Sequence, residues 1–388
     1  MAVDQHSPRS WPVAPLRLRL LGRLLASLSL AFTLLAATPA RAQLDTLPDS
    51  VTDNVSPLSQ AQEQTVRQYT EKYLSALEAA AADPEGTTAA EDARRKLVAP
   101  LTRNTTSTTF RLEYSRQLMP RVRAMTESKN KNLVTQALQI TGELATEAAV
   151  EATEALLDSS EEDVRFMAAA GLRRTFVAVS MASPAIDEGN LKAAATALGK
   201  ALTAEKSTLV AFAMTDALVA AVSTSRENLS GLRSTATIAL ANALGQRVRA
   251  LNGAMPDVQD LQGLIKAATS FRDELANGRL DSESAKAAAG FAGDLHVNIT
   301  KVIKKAGLPQ STVDSAPARG QAVQMALLAD QIITFAAQKR GDRGPAVDLS
   351  NRLRSGEVND DALYANGVTD VVGRLTGPTF GLDATRFR

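Results

Sequence analysis

Apolar residues return every three or four positions through most of the chain, and short polar turns interrupt them at intervals. That period belongs to amphipathic helices. Val66, Tyr69, Tyr73 and Leu77 mark one buried face of a helix that begins near Ser59 and runs to about Ala82, where Asp83-Pro84-Glu85-Gly86 breaks it. A second helix, Thr88 to Ala99, stops at Pro100, and the run from Thr102 to Thr109 carries no period and reads as a loop. Beyond Phe110 the helices are short and regular, clearest in NLVTQALQITGEL, TEAAVEATEALLDSS and EEDVRFMAAAGLRRTF between Asn132 and Phe176. Ser159-x-x-Glu162 has the form of a capping box. After Pro256 come a helix striped by Leu261, Leu264, Ile265, Ala268 and Phe271, and two longer ones, Ser282 to Ala306 and Ala318 to Lys339. The last two close at Gly307 and Gly341. A polar break at Lys339 to Pro345 precedes a last short helix pair and a tail from Gly377 to Arg388. No β-branched alternation persists, and alanine is the commonest residue at 68 of 388, so the chain reads as all-α.

The first 42 residues stand apart. Arg17, Arg19 and Arg23 precede an apolar run of 14, Leu24 to Ala37, and Ala40-Arg41-Ala42 offers a small-x-small cleavage site. This is the pattern of a secretory signal peptide. A 14-residue helix spans about 21 Å against a hydrocarbon core of ~30 Å, which disfavours a permanent membrane span. Cleavage after Ala42 predicts an exported protein, periplasmic or secreted. Its mature chain holds 38 basic and 41 acidic residues, no cysteine, no tryptophan and one histidine. Residues 43–58, with two prolines and few apolar anchors, read as a disordered linker.

That composition excludes whole chemistries. Without cysteine there are no disulfides, thiolate zinc sites, iron–sulfur clusters or thiol nucleophiles. A lone histidine, His296, excludes two-histidine metal sites; it falls within an amphipathic helix and reads as a surface or packing residue. Neither phosphate-binding glycine loop is present, nor is a G-x-S-x-G elbow or an S-x-x-K set. Four scattered tyrosines (Tyr69, Tyr73, Tyr114, Tyr364) offer little for stacking sugars or bases, so no nucleic-acid partner is expected. No catalytic residue, cofactor or metal is assigned.

The segment around Glu162 resembles a HEAT repeat of the PBS-lyase type. In that family an acidic turn leads into a Val-Arg pair, then Ala-Ala, then Leu; here Asp163, Val164, Arg165, Ala168, Ala169 and Leu172 stand at those positions. Leu133, Ala137, Leu138 and Leu144 resemble the preceding unit's second helix, and Ala148, Ala152 and Leu156 this unit's first. Ala194 to Leu202 with Leu209 to Ala221 resembles a degenerate pair, and Leu232 to Leu244 one further helix, so the likeness covers roughly residues 130–245. The insert Ser180 to Asn190 departs from the family's spacing. The resemblance implies a right-handed α-solenoid of HEAT-like hairpins over residues 127–253, between N-terminal helices at 59–126 and an irregular helical region at 254–388. The latter either continues the array or caps it as a small bundle. It also implies that Arg165 is structural and that protein binding is the usual role.

Charge is segregated. Ten basic residues against Glu113 and Glu127 lie between Arg94 and Lys131, and Asn132 to Val164 holds eight acidic residues and no basic one. Glu143, Glu147, Glu151, Glu154 and Asp158 step every three or four positions. One reading is compensation between adjacent solvated helices. The other is a charged binding surface built on Arg111, Arg116, Arg121 and Arg123, weakened if Pro120 bends their helix. The expectation is an exported, non-enzymatic interaction scaffold that binds another protein or an envelope component. The alternatives are a carboxylate hydrolase or lyase on a helical array, or a structural part of envelope assembly.

Overall fold

The computed structural model describes residues 44–181, 185–306, 316–354 and 358–388. The leader at 1–42, Pro184 and Gly307 lie outside them. Fifteen α-helices and no strand are found among the described residues. In chain order they are α1 Asp49–Thr52, α2 Gln60–Ala82, α3 Thr87–Val98, α4 Thr108–Thr126, α5 Lys131–Leu144, α6 Glu147–Glu154, α7 Glu162–Met181, α8 Glu188–Ala204, α9 Thr208–Val222, α10 Ser230–Leu251, α11 Val258–Ala276, α12 Ser282–Ala306, α13 Ala316–Lys339, α14 Ser350–Arg354 and α15 Val358–Thr376. None is long and apolar enough to cross a membrane.

The helices form a two-layer array. One layer stacks α3, α5, α7, α9, α11 and α13, each on the next, and the other stacks α4, α6, α8, α10 and α12. The array does not stop near residue 253: α10 packs on α12 as on α8, and α11 packs on α13 as on α9. Helices α14 and α15 then fold against α13 and α12. Alanine and glycine let the axes approach closely. A Cβ added to Gly142 would stand 2.7 Å from the Gly171 carbonyl oxygen, and one on Gly171 would stand 3.0 Å from that of Leu138. Ala168, Ala169 and Leu172 are fully buried in the same layer.

The unit length varies along the chain. Around α5 and α7 hydrogen bonds between units join residues 31–33 apart, as in Ser115 to Thr146 and Thr175 to the Gly142 carbonyl, whereas Arg94 on α3 reaches Gln136 on α5 across 42. Farther along the separations are 45–47, as in Arg249 to Asp294, Gly253 to Asn298 and Ser234 to Asp281. Helices of 14 and 8 residues at α5 and α6 give way to helices of 25 and 24 at α12 and α13.

Local signals set most boundaries. The Ser59 hydroxyl and the Gln62 side chain cap α2 reciprocally, and Val66, Tyr69, Tyr73 and Leu77 are its buried stripe. The box expected at Ser159 is not formed: Ser159 Oγ accepts from the Glu161 N–H at 3.2 Å, and α7 begins one residue later. The linker expected at 43–58 is also corrected. Leu47 and Val51 are buried, α1 forms, and the Ser107 N–H donates to the Thr52 carbonyl at 3.0 Å. The apolar anchors, further hydrogen bonds to the Ser50, Asn54 and Val55 carbonyls and the Arg103–Asp49 ion pair together dock a stretch whose composition reads as loose.

Arginines fasten one unit to the next. Arg111 on α4 donates to the carbonyls of Glu143 and Leu144 at the end of α5 and to that of Leu101. Arg233 on α10 donates to Thr224 O at 2.7 Å, just past α9, and to Arg279 O at 3.3 Å, just past α11. Arg247 donates to Glu205 O at 2.6 Å after α8. A helix leaves its last carbonyls without partners and partly negative, and a planar fork of donors satisfies several at once. At the far end, Arg386 reaches the fully buried Asp294 carboxylate at 2.7 Å, where Arg249 also bonds it at 2.7 Å. Gly290 clears the path, since a Cβ there would stand 2.9 Å from the Arg386 Cζ. Phe380 and Phe387 are buried and anchor a tail whose other residues are mostly exposed.

Replacing Arg233 by alanine strips both helix ends and leaves the buried Glu274 with Arg279 alone as counter-charge. The expected loss is about 3 kcal/mol in denaturant unfolding, and Arg233→Lys recovers less than half because an ammonium lacks the fork.

Candidate functional site

The four arginines expected to form one binding surface are dispersed. Helix α4 runs without interruption through Pro120, so the proline is not what scatters them. At about 100° per residue, Arg111 and Arg116 stand about 140° apart around the helix. Arg111 is 3% exposed and its guanidinium holds three backbone carbonyls. Arg116 pairs with Glu113 at 2.6 Å, Arg121 with Glu78 and with Glu71 at 2.8 Å, and Arg123 with Glu151 at 3.0 Å. The acidic stripe is broken as well. Ala145, in the left-handed region at φ 48°, ends α5 after Glu143, and the next steps fall on α6. Opposite charges therefore compensate locally, within α4 and with elements packed nearby, Lys131 with Glu161 at 2.9 Å being another case.

Arg165 bonds the Ser159 carbonyl at 2.8 Å and grips both Glu205 oxygens at 2.7 and 3.0 Å, which ties α7 to the end of α8. Asp163 is exposed toward Lys131, and Val164 is half-buried. His296 is a packing residue in the core. Its Nδ1 meets the Tyr364 hydroxyl at 2.8 Å, and its Nε2 lies 3.3 Å from Asp330 Oδ1, out of line for a hydrogen bond. Burial acts to raise the Asp330 carboxyl, but the imidazole and the Ser350 N–H at 2.7 Å outweigh it and hold it below the usual range. None of the cavities described below reaches this cluster.

The strongest concave feature lies elsewhere. A cavity of about 380 Å³ opens between residues 101–104 and α7, over the ends of α4 and α5. Arg103, Arg111, Arg173, Arg174 and Glu143 supply its charges, and Leu101, Val177, Ala178 and Met181 its apolar wall. Met181 is 75% exposed at the mouth. Arg103 pairs with Asp49 at 2.5 Å, and Arg173 with Asp216 on α9 at 2.7 Å. Arg174 is the least engaged. Its Nη1 is buried without a partner, and its Nε is 3.8 Å from Glu143 Oε1, beyond hydrogen-bonding range. Burial pushes the Glu143 carboxyl up, against the pull of Arg174, Arg111 and Arg94. Arg94 is itself lowered by burial and by the neighbouring Arg174, and its Nε donates to Gln136 at 2.8 Å.

Two further hollows are less suited to a ligand. One between α9, α10 and α11 is narrow, at about 20 Å³. A broader one of about 390 Å³ between α8 and α10 is lined by short neutral side chains with one charge, Lys200. Among the described residues no cluster of three or more His, Asp or Glu could hold a metal.

No protein-family model and no curated protein matches the chain. Among solved structures it is similar to a crystal structure of an engineered protein, at 13% identity and a TM-score of 0.38, covering 70% of this chain and 97% of that one.

Sequence reasoning missed Arg173 and Arg174. The available signal was two consecutive arginines directly after Leu172 on an alanine-rich helix, where repeat packing needs only the apolar positions. Glu143 was read as one step of a solvated stripe.

A raised Glu143 carboxyl means that the folded chain holds this proton more tightly than the unfolded chain does. Its stabilising effect is complete below the ordinary carboxylate range and is lost as pH rises through the raised value. Relative to wild type, Glu143→Gln is therefore expected to gain stability between acidic and neutral pH, and denaturant titrations across that window check it. A difference that shrinks as pH rises would contradict the burial argument.

Proposed function

We propose that the chain is an exported, non-enzymatic α-solenoid scaffold of the HEAT-like kind, which binds another protein or an envelope component in the periplasm or outside the cell. Stacked helix hairpins contact only their neighbours and leave extended faces open, which suits a partner of larger size than a substrate. One observation carries the binding reading. On the face of α7, Val177 and Met181 are exposed beside the arginine cleft, while the equivalent inward positions Ala168, Ala169 and Leu172 are buried. Exposed apolar side chains at the mouth of a charged hollow are a common form of recognition surface. Export rests on the leader pattern at residues 1–42.

Two measurements test the parts separately. Fractionation with N-terminal sequencing is expected to find the mature chain beginning at Gln43 outside the cytoplasm; a chain retained inside with its leader overturns export. Immobilised mature protein is expected to retain a discrete species from envelope extract. Val177→Asp with Met181→Asp is expected to cut that capture at least tenfold while circular dichroism is unchanged. Equal capture by the variant removes α7 as the binding face.

A further inference from the structure

The cleft gathers four arginines and one carboxylate in its lining. Arg103 is matched by Asp49 and by Asp53 at 3.9 Å, and Arg173 shares Asp216 with Lys266. Within the lining, Arg111 and Arg174 face the single carboxylate of Glu143. The Arg111 terminal nitrogens are turned to backbone carbonyls, so a ligand meets the guanidinium of Arg174, about a third exposed, through donors other than its buried Nη1. One helical turn farther along α7, Val177, Ala178 and Met181 present an apolar wall. A polar grip and an apolar wall side by side, in a volume of about 380 Å³, fit a small amphiphile.

We propose that this cleft binds a carboxylate bearing an apolar group, with the Arg174 fork holding the carboxylate and Val177, Ala178 and Met181 receiving the apolar part. Glu143 in the floor repels a second negative charge, which favours a monoanion. A planar fork matches the two oxygens of a carboxylate bidentately. The same chemistry has two sources: the free C-terminus of a polypeptide that ends in an apolar residue, or a free aliphatic acid. The proposal rests on reading the α7 face as a binding surface. It depends neither on export nor on which species an extract yields.

The test is calorimetric titration of the purified full-length mature chain at neutral pH. The probes are octanoate against octanol, N-acetyl-Leu-Leu as free acid against its amide, and inorganic phosphate. Each acid is expected to bind at least tenfold more tightly than its uncharged counterpart and more tightly than phosphate. The tighter of the two acids identifies the source. Arg174→Gln is expected to abolish the preference for acid, and Arg116→Gln, on the exposed side of α4, to leave it intact. Ala178→Leu, which fills the apolar half without touching a charge, is expected to weaken both acids at least fivefold, and it keeps the test open should Arg174→Gln fold poorly. Acid and amide binding alike, no acid binding at 10 mM on the order of general weak-ligand limits, or phosphate binding most tightly would each overturn the assignment. Should the acids fail while Val177→Asp/Met181→Asp still abolishes capture from extract, the face binds but not through this chemistry.

Discussion

The array depends on arginine forks that reach from one unit into the carbonyl ends of another. A helix bundle can turn its C-terminal carbonyls to water, but stacked hairpins press many of those ends between layers, where an unpaired carbonyl is costly. Arg111, Arg233 and Arg247 each bond carbonyls of this kind, and Arg340 does the same for Thr379 near the tail, at 2.6 Å. The reach of the side chain and the fixed geometry of its five donors let one residue satisfy two or three acceptors on separate elements. With no cysteine in the chain, cohesion between units rests on this bonding and on close apolar packing.

The same constraint accounts for the cleft. Where α7 passes the end of α5, Arg111 has already engaged the carbonyls of Glu143 and Leu144. Arg174 approaches that place from the other side and finds no acceptor left, only the Glu143 side chain beyond hydrogen-bonding distance. A residue of the stapling type is thus left with a donor that no acceptor meets.

Periodicity made the helices legible, because an amphipathic stripe is written into the order of residues. Ser282 and Ala306 bound α12 as the pattern indicated, and Val66, Tyr69, Tyr73 and Leu77 lie where the stripe put them. The array's continuation past residue 253 was hidden for a physical reason. Unequal units vary the spacing between bonded neighbours from about thirty to about forty-five residues, so a fixed-period reading loses them while the packing continues. The charge blocks misled because net charge per segment records nothing of direction. Arg111 and Arg116 sit in one run of sequence, yet one is sealed in the core and the other faces water. Glu143 and Arg174 are 31 positions apart, and only the stacking of α5 on α7 brings them together.

The ion pair between Asp294 and Arg386 spans 92 positions, far longer than any repeat. Arrays held only by nearest neighbours fray like a zipper, shedding terminal units one at a time. Here α12 cannot peel away while Arg386 lies threaded past Gly290 into its buried carboxylate, and Arg249 on α10 grips the same oxygen. Three distant stretches of chain must let go together at this end. Opening becomes a single concerted event there, and gradual unravelling is left to the opposite end.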